Sequence, residues 1–199
     1  MAIEAGPPTL FVIAGANGAG KSTFYDTVLA PRIAAPFINA DIIQREELRD
    51  PALSASYRAA EIAEQRRREY LAQGRSFVME TVFSHPSKLD LLTDARAAGF
   101  RIVVFHLLLA SAELAEARVK HRVAEGGHPV PEGKIRARFE RNGALIRQAA
   151  LMADRAMVLD GSALNEPPRS LLELTSGNVA RCADNRPTWF EALYGDLCR

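Results

Sequence analysis

The sequence predicts an α/β fold with a mostly parallel sheet. Three observations carry this reading. Short apolar runs alternate with longer helical segments along the chain. The run Phe100 to Leu109 is apolar almost throughout, as a strand buried on both faces should be. A glycine-rich turn sits directly between the first apolar run and the first helical segment.

Taken in order, Thr9 to Ala14 reads as a buried strand preceded by Gly6-Pro7-Pro8. The turn Gly15 to Gly20 leads into a helix from about Lys21 to Leu29, ended by Pro31 and Pro36. Phe37 to Ala40 reads as a second strand that stops at Asp41. Ser54 to Gln73 reads as a long helix with Ala59, Ile62, Ala63, Tyr70 and Leu71 inward and Gly74 as its stop. The run Arg66-Arg67-Arg68 on it reads as a solvated face among Glu61, Glu64 and Glu69. Ser76 to Met79 is a third strand ending at Glu80, and Ser87 to Ala98 is a helix closed by Gly99. After the strand Phe100 to Leu109, helix returns from Ser111 to Ala124 and breaks at Glu125 to Gly133. A further helix runs from Lys134 to Ala153, and Ala156 to Leu159 is the last clear strand. Beyond Asn165 the pattern weakens. Residues 1–199 are expected to form one domain, since a chain of that length buries enough surface to need no staples.

Composition excludes several classes. Twenty-five basic and 24 acidic residues give a net charge of +1, which offers no general attraction to nucleic acid or an anionic membrane. Cys182 and Cys198 fit neither a zinc spacing nor a disulfide framework, and read as ordinary thiols of a reducing compartment. Residues 1–8 lack the basic-then-apolar pattern of a signal peptide. No apolar run approaches the roughly 20 residues of a membrane span. The expected location is the cytoplasm.

The chemistry starts at Gly15-Ala-Asn-Gly-Ala-Gly20-Lys21-Ser22, which matches G-x-x-x-x-G-K-[ST] in full. Glycines let successive backbone N–H groups face one point, and the following helix N-terminus favours anionic oxygens. Lys21 would reach the β- and γ-phosphates of ATP and the Ser22 hydroxyl would ligate magnesium. Gly15, Asn17, Gly18, Ala19, Gly20, Lys21, Ser22 and Thr23 are the expected ATP contacts. A chance match in a chain this long arises roughly 1% of the time, and the strand-turn-helix context lowers that further.

The N-K-x-D pattern of guanine readers and the L-S-G-G-Q signature are both absent. A small-molecule kinase remains, and it needs a base, acceptor contacts and phosphate-neutralising cations. Asp41, at the end of the short second strand, is the leading base, with a helix N-cap as its alternative role. Glu80 with Thr81 ends the next strand, as an acceptor ligand, a second acid near magnesium or the base itself. Arg118, Arg122, Arg136, Arg138 and Arg141 flank the glycine-proline break and look like a lid over phosphates, at about residues 118–141. Some of them are expected to be surface charges paired with neighbouring acids. His128, inside the break, and His85, before Pro86, read as structural or solvated. Asp160-Gly161-Ser162 is a candidate adenine region.

The order of these segments resembles the zeta toxin family, in particular its short chromosomal members. The resemblance spans about residues 9–160. It rests on the phosphate loop, Asn39-Ala-Asp41, Glu80-Thr-Val-Phe-Ser84, the Gly126-Gly-His-Pro-Val-Pro131 segment with Arg118 and Arg122 before it, and Ile135-Arg-Ala-Arg-Phe139. It implies a P-loop kinase fold: a three-layer sandwich with a mostly parallel central sheet and a helical lid. It implies ATP, magnesium and UDP-N-acetylglucosamine as the acceptor, phosphorylated on a sugar hydroxyl. It also implies Asp41 as base and Glu80 as the acceptor-contacting acid. Two of Arg118, Arg122, Arg136 and Arg138 would contact phosphates, Arg122 and Arg138 being favoured. Any antitoxin would be a separate protein. Where the larger toxins carry a threonine and an arginine after the acid, this chain has Val82 and Ser84, which cannot make the same contacts. The alternatives are a P-loop kinase for another hydroxyl, such as a nucleotide, antibiotic or polynucleotide end, and an ATP-binding regulatory protein.

Overall fold

The computed structural model describes residues 6–127, 130–164 and 166–199. A seven-stranded sheet runs in the order β2-β3-β1-β4-β5-β6-β7. Its strands are β1 (Thr9–Gly15), β2 (Phe37–Ile38), β3 (Phe77–Thr81), β4 (Arg101–Leu108), β5 (Arg155–Asp160), β6 (Arg169–Thr175) and β7 (Asn178–Cys182). The first five are parallel, and β6 and β7 join antiparallel. The helices are α1 (Lys21–Phe24), α2 (Ala40–Ile42), α3 (Leu53–Ala72), α4 (Ser87–Ala97), α5 (Ala112–Ala124), α6 (Glu132–Met152) and α7 (Thr188–Tyr194). α1 and α2 continue as π-helical turns at Tyr25–Leu29 and Ile43–Leu48.

β1 is central because it is apolar on both faces. Leu10, Val12 and Ala14 face one core with Ala59 and Ala63 of α3, Leu91 and Leu92 of α4, Ile146 of α6 and Phe190 of α7. Ile13 faces the other with Phe24 of α1 and Ala115 and Val119 of α5. The expected layering of helices over both faces of a mostly parallel sheet is thereby observed.

Four local expectations are corrected. The second strand covers only Phe37 and Ile38, because the Asn39 carboxamide accepts from the backbone N–H of Asp41 (2.7 Å) and Ile42 (3.3 Å) and starts a helix. The N-cap is thus Asn39, and Asp41 lies in the first turn instead of serving as the cap itself. The arginine run is not uniformly solvated: Arg67 is 6% exposed, its Nε donating to the Ala63 carbonyl at 3.0 Å. It falls on the inward stripe of Ala55, Ala59 and Ala63. Cys182 and Cys198 are bonded to each other as a disulfide, their Cα atoms 6.0 Å apart, instead of being two thiols. The hairpin β6–β7 and α7 fold the C-terminus back to the sheet, bringing them within bridging range.

The C-terminal segment is anchored by one buried polar contact. His106 of β4 is 2% exposed, and its Nδ1 lies 2.7 Å from the fully buried Tyr194 hydroxyl of α7. Burial holds the His106 imidazole far below its usual range, at about 3, so it is neutral in the folded protein. The same burial pushes the Tyr194 phenol up. An unfolded His106 takes up a proton near pH 6.5, which the folded one refuses until about pH 3. Its share of stability is therefore present above about pH 6.5 and falls as pH drops from there toward 3. Going from about pH 7 to about pH 4.5, His106→Gln should lose roughly 2 kcal/mol less stability than the parent, read from urea midpoints.

Candidate functional site

The site is assembled at the C-terminal ends of β1, β2 and β3, where open parallel sheets bind ligands. The glycine-rich loop leaves β1 at Gly15, where a side chain would run into the Leu107 carbonyl of β4. Gly18 has φ +77°, and an added Cβ would stand 2.9 Å from the Ala115 carbonyl of α5. Glycine is thus required at both places by close approach, and at Gly18 by the left-handed backbone as well. Gly20, Ser22 and Thr23 are exposed at the start of α1, and Ala19 is buried. Asn17 Oδ1 is buried and has no hydrogen-bond partner.

Lys21 is 6% exposed, and its ammonium donates to the Ala16 carbonyl at 2.9 Å. Burial lowers its pKa, opposed by the nearby charges of Glu80 and Asp41 and reinforced by Arg122. Those influences place Asp41 and Arg122 within electrostatic reach of Lys21. Glu80, at the end of β3, is the convergence point. One carboxylate oxygen, Oε2, accepts from the Ser22 hydroxyl at 2.8 Å and from the Asn39 carboxamide at 2.8 Å. The other, Oε1, lies 3.7 Å from Lys21 Nζ. Sheet register explains the meeting, since Glu80 pairs with Ile13 just before the loop and Ile38, just before Asn39, pairs with Met79.

Beyond Glu80 the chain turns sharply. Phe83 is 1% exposed with φ +56°, a left-handed conformation rare for a bulky residue. The Thr81 hydroxyl accepts from the Phe83 backbone N–H at 3.0 Å, so Thr81 is engaged in shaping this turn.

The arginines differ widely. The Arg118 guanidinium donates to the carbonyls of Gly161 (2.6 Å), Ser162 (2.8 Å) and Ala163 (3.0 Å), with Gly18 at 3.5 Å. It therefore clamps the loop after β5 to the glycine-rich loop. Asp160 Oδ1 accepts from the Ser162 N–H at 2.9 Å and shapes the same loop. Arg136 is exposed and pairs with Glu113 (2.9 Å) and Glu116 (3.2 Å). Arg122 lies one turn beyond Arg118 on α5, and its backbone carbonyl accepts from the Gly127 N–H at 2.8 Å. Arg138 is half-buried and Arg141 exposed on α6. His128 lies outside the described residues.

Among the described residues no three His, Cys, Asp or Glu side chains could hold a metal by themselves. The Ser22 hydroxyl with Glu80 forms an oxygen donor set instead. That fits Mg²⁺, which takes one or two protein oxygens and completes its shell with phosphates and water. No helix of the described residues is long and apolar enough to cross a membrane.

Residues 10–145 match a family model described as an AAA domain. The chain belongs to this AAA domain family. The match runs from β1 into α6 and so includes the glycine-rich loop, Asn39, Asp41, Glu80 and the arginine-bearing helices of this AAA domain. No curated protein matches the chain by sequence. Among solved structures, AvrRxo1-ORF1:-ORF2 with ATP is similar at TM-score 0.68 and 14% identity, covering 96% of this chain and 63% of that one. The chain thus spans less than two thirds of that protein. The PezAT chromosomal toxin-antitoxin system of Streptococcus pneumoniae is similar at TM-score 0.59 and 12% identity, covering 97% and 79%. A sugar kinase from Janibacter is similar at TM-score 0.52 and 20% identity, covering 81% and 88%. At these identities the likeness concerns the fold, which is that of P-loop kinases.

The residue of the candidate site to which sequence reasoning gives no role is Asn39. An Asn two positions before an acid, at the end of a short apolar run, is itself an N-cap signal. Asn39→Asp keeps a good cap but removes the donor to Glu80 and sets a carboxylate against it. It should lower stability by about 1 kcal/mol or more, whereas a cap-only role leaves stability nearly unchanged; urea unfolding distinguishes them.

Proposed function

We propose that the chain is an ATP- and magnesium-dependent phosphotransferase that moves the γ-phosphate onto a small-molecule hydroxyl. The observation that carries this is the junction of Lys21, Ser22, Asn39 and Glu80, with Asp41 two residues beyond Asn39. A binding module needs the loop but has no use for a second carboxylate beside it.

The loop N–H groups and Lys21 would hold the phosphates, and Ser22 with Glu80 would hold magnesium, which neutralises charge on the transferring phosphoryl group. Of the roles open to Glu80, its bond to Ser22 favours the acid near magnesium over the acceptor contact. That leaves Asp41, exposed and not tied up as the cap, to accept the acceptor's proton. Arg122 and Arg138 are the favoured lid cations within a single domain of residues 1–199. Arg118 and Arg136 are engaged with backbone carbonyls and with glutamates, which argues for structural roles.

The leading acceptor is UDP-N-acetylglucosamine, on the resemblance of the sequence to zeta toxins alone. The likeness to PezAT, a toxin-antitoxin system, supports a separate antitoxin partner. ATP as phosphoryl donor supports a cytoplasmic location; the Cys182–Cys198 disulfide counts against it, since a reducing compartment disfavours such a bond. A second reading keeps the chemistry and changes the acceptor. Val82 and Ser84 favour it, since neither can pair with a diphosphate as an arginine does.

Mass spectrometry of the protein with magnesium, ATP and UDP-N-acetylglucosamine tests the acceptor. A product heavier by one phosphate, absent with Lys21→Ala, establishes it; ATP binding without that product shifts the search to other hydroxyls. Asp41→Asn should retain ATP binding and slow transfer by roughly 10²-fold or more. Undiminished turnover removes Asp41 from the role of base.

A further inference from the structure

A cavity of about 130 Å³ lies between β4, α6 and α7, lined among others by Ala16, His106, Phe139, Asn142, Trp189 and Leu193. Its place in the topology is informative. It sits at the C-terminal ends of β1 and β4, which are paired parallel neighbours. From β1 the chain crosses to β2 on one side, and from β4 to β5 on the other. That reversal of direction is where doubly wound sheets open a crevice for ligands. Ala16 opens the glycine-rich loop, and its carbonyl holds the Lys21 ammonium. The cavity therefore backs directly onto the phosphate site.

Its chemistry is specific. None of the residues lining it is an acid, lysine or arginine, and burial keeps His106 neutral. A charged ligand group would be desolvated there without a counter-charge. Asn142 lines the cavity from α6, is 4% exposed, and its Nδ2 has no hydrogen-bond partner. Buried amides are nearly always paired, so an orphan beside a cavity marks a place for a ligand or water oxygen. Phe139, Leu193 and Trp189 supply apolar surface, and Trp189 is the chain's single tryptophan. The volume is too small for a whole ligand, whose pockets run to about 300 Å³ and more, and close to the roughly 150 Å³ that accepts a bare benzene ring, so it admits one edge of a hydroxylated six-membered ring and leaves the rest of that ring outside. Arg138 stands one turn before Asn142 on α6, so this helix reaches from the cavity toward the arginine-bearing segment.

We propose that this cavity receives one edge of an uncharged, hydroxyl-bearing ring of the acceptor, its inserted hydroxyl bonded by the Asn142 carboxamide and its C–H face seated against Trp189. An apolar wall, one amide and a neutral imidazole match a ring with C–H faces and hydroxyl edges. Calling the ring part of the acceptor rests on the kinase reading; occupancy does not.

Trp189 fluorescence reports occupancy without turnover. The protein is titrated with glucose, N-acetylglucosamine and myo-inositol, and with glucuronate as the charged counterpart. At least one neutral ring should give a saturable change, with glucuronate at least tenfold weaker. Asn142→Leu removes the hydrogen-bonding amide at similar volume and should weaken binding at least tenfold with an unchanged or higher Tm. Should Asn142→Leu fail to fold, Asn142→Ala reads the same loss. No saturable response to any neutral ring, or an equal response in the folded variant, overturns the proposal and leaves water as the occupant. Phosphoryl transfer without a Trp189 response refutes the site and keeps the kinase reading. Binding without any ATP turnover refutes the kinase reading and keeps the site.

Discussion

The structure around the phosphate loop depends on one carboxylate. Glu80 joins the ends of three strands, because its partners come from the segments that follow β1 and β2 while it ends β3 itself. Lys21 is buried and donates to the Ala16 carbonyl, and the Glu80 carboxylate 3.7 Å away opposes the lowering of its pKa by burial. Ser22 is held at the mouth of the loop, and Asn39 is oriented so that its oxygen can start α2 while its nitrogen reaches Glu80. A single side chain thus fixes the loop lysine, the loop hydroxyl and the direction in which Asp41 leaves the sheet.

The loop is held from its other side by packing. Gly15 lies against the Leu107 carbonyl and Gly18 against α5, so neither position tolerates a side chain. Arg118 then closes the arrangement by gathering carbonyls from the loop after β5. An arginine suits this task because its planar fork offers several donors at once, each worth more for carrying charge. If this loop takes a phosphate, as proposed, N–H groups already held in place would cost little rearrangement on binding.

Much of this was legible in the sequence, and the exceptions have identifiable causes. The glycine-rich loop and the strands β1, β3, β4 and β5 carry local signals: full motif, continuous apolar runs, glycine and proline stops. Asp41 and Glu80 stand out as candidates because a strand end is visible as the place where an apolar run stops. The role of Asn39 is not legible in the sequence, since its three side-chain hydrogen bonds serve a local helix start and a residue 41 positions away. Arg118 and Arg136 looked alike in sequence and differ in space, because the acids that pair Arg136 belong to another helix. The β6–β7 hairpin turns at Ser176 and Gly177, both with positive φ, yet Ser-Gly is a weaker turn signal than Asn-Gly. The disulfide partners are brought together only by that hairpin and α7, which no cysteine spacing reveals.

The His106–Tyr194 contact sets a boundary that sequence similarity does not. The family match stops inside α6, yet β4, which it contains, buries a histidine whose hydroxyl partner is the last residue of α7. A protein trimmed at the end of the match would lose β5, β6 and β7 and open the interior imidazole to water. The smallest piece able to fold by itself is therefore defined by a tyrosine near the C-terminus. Any grafting of this scaffold onto another protein has to carry that tail along.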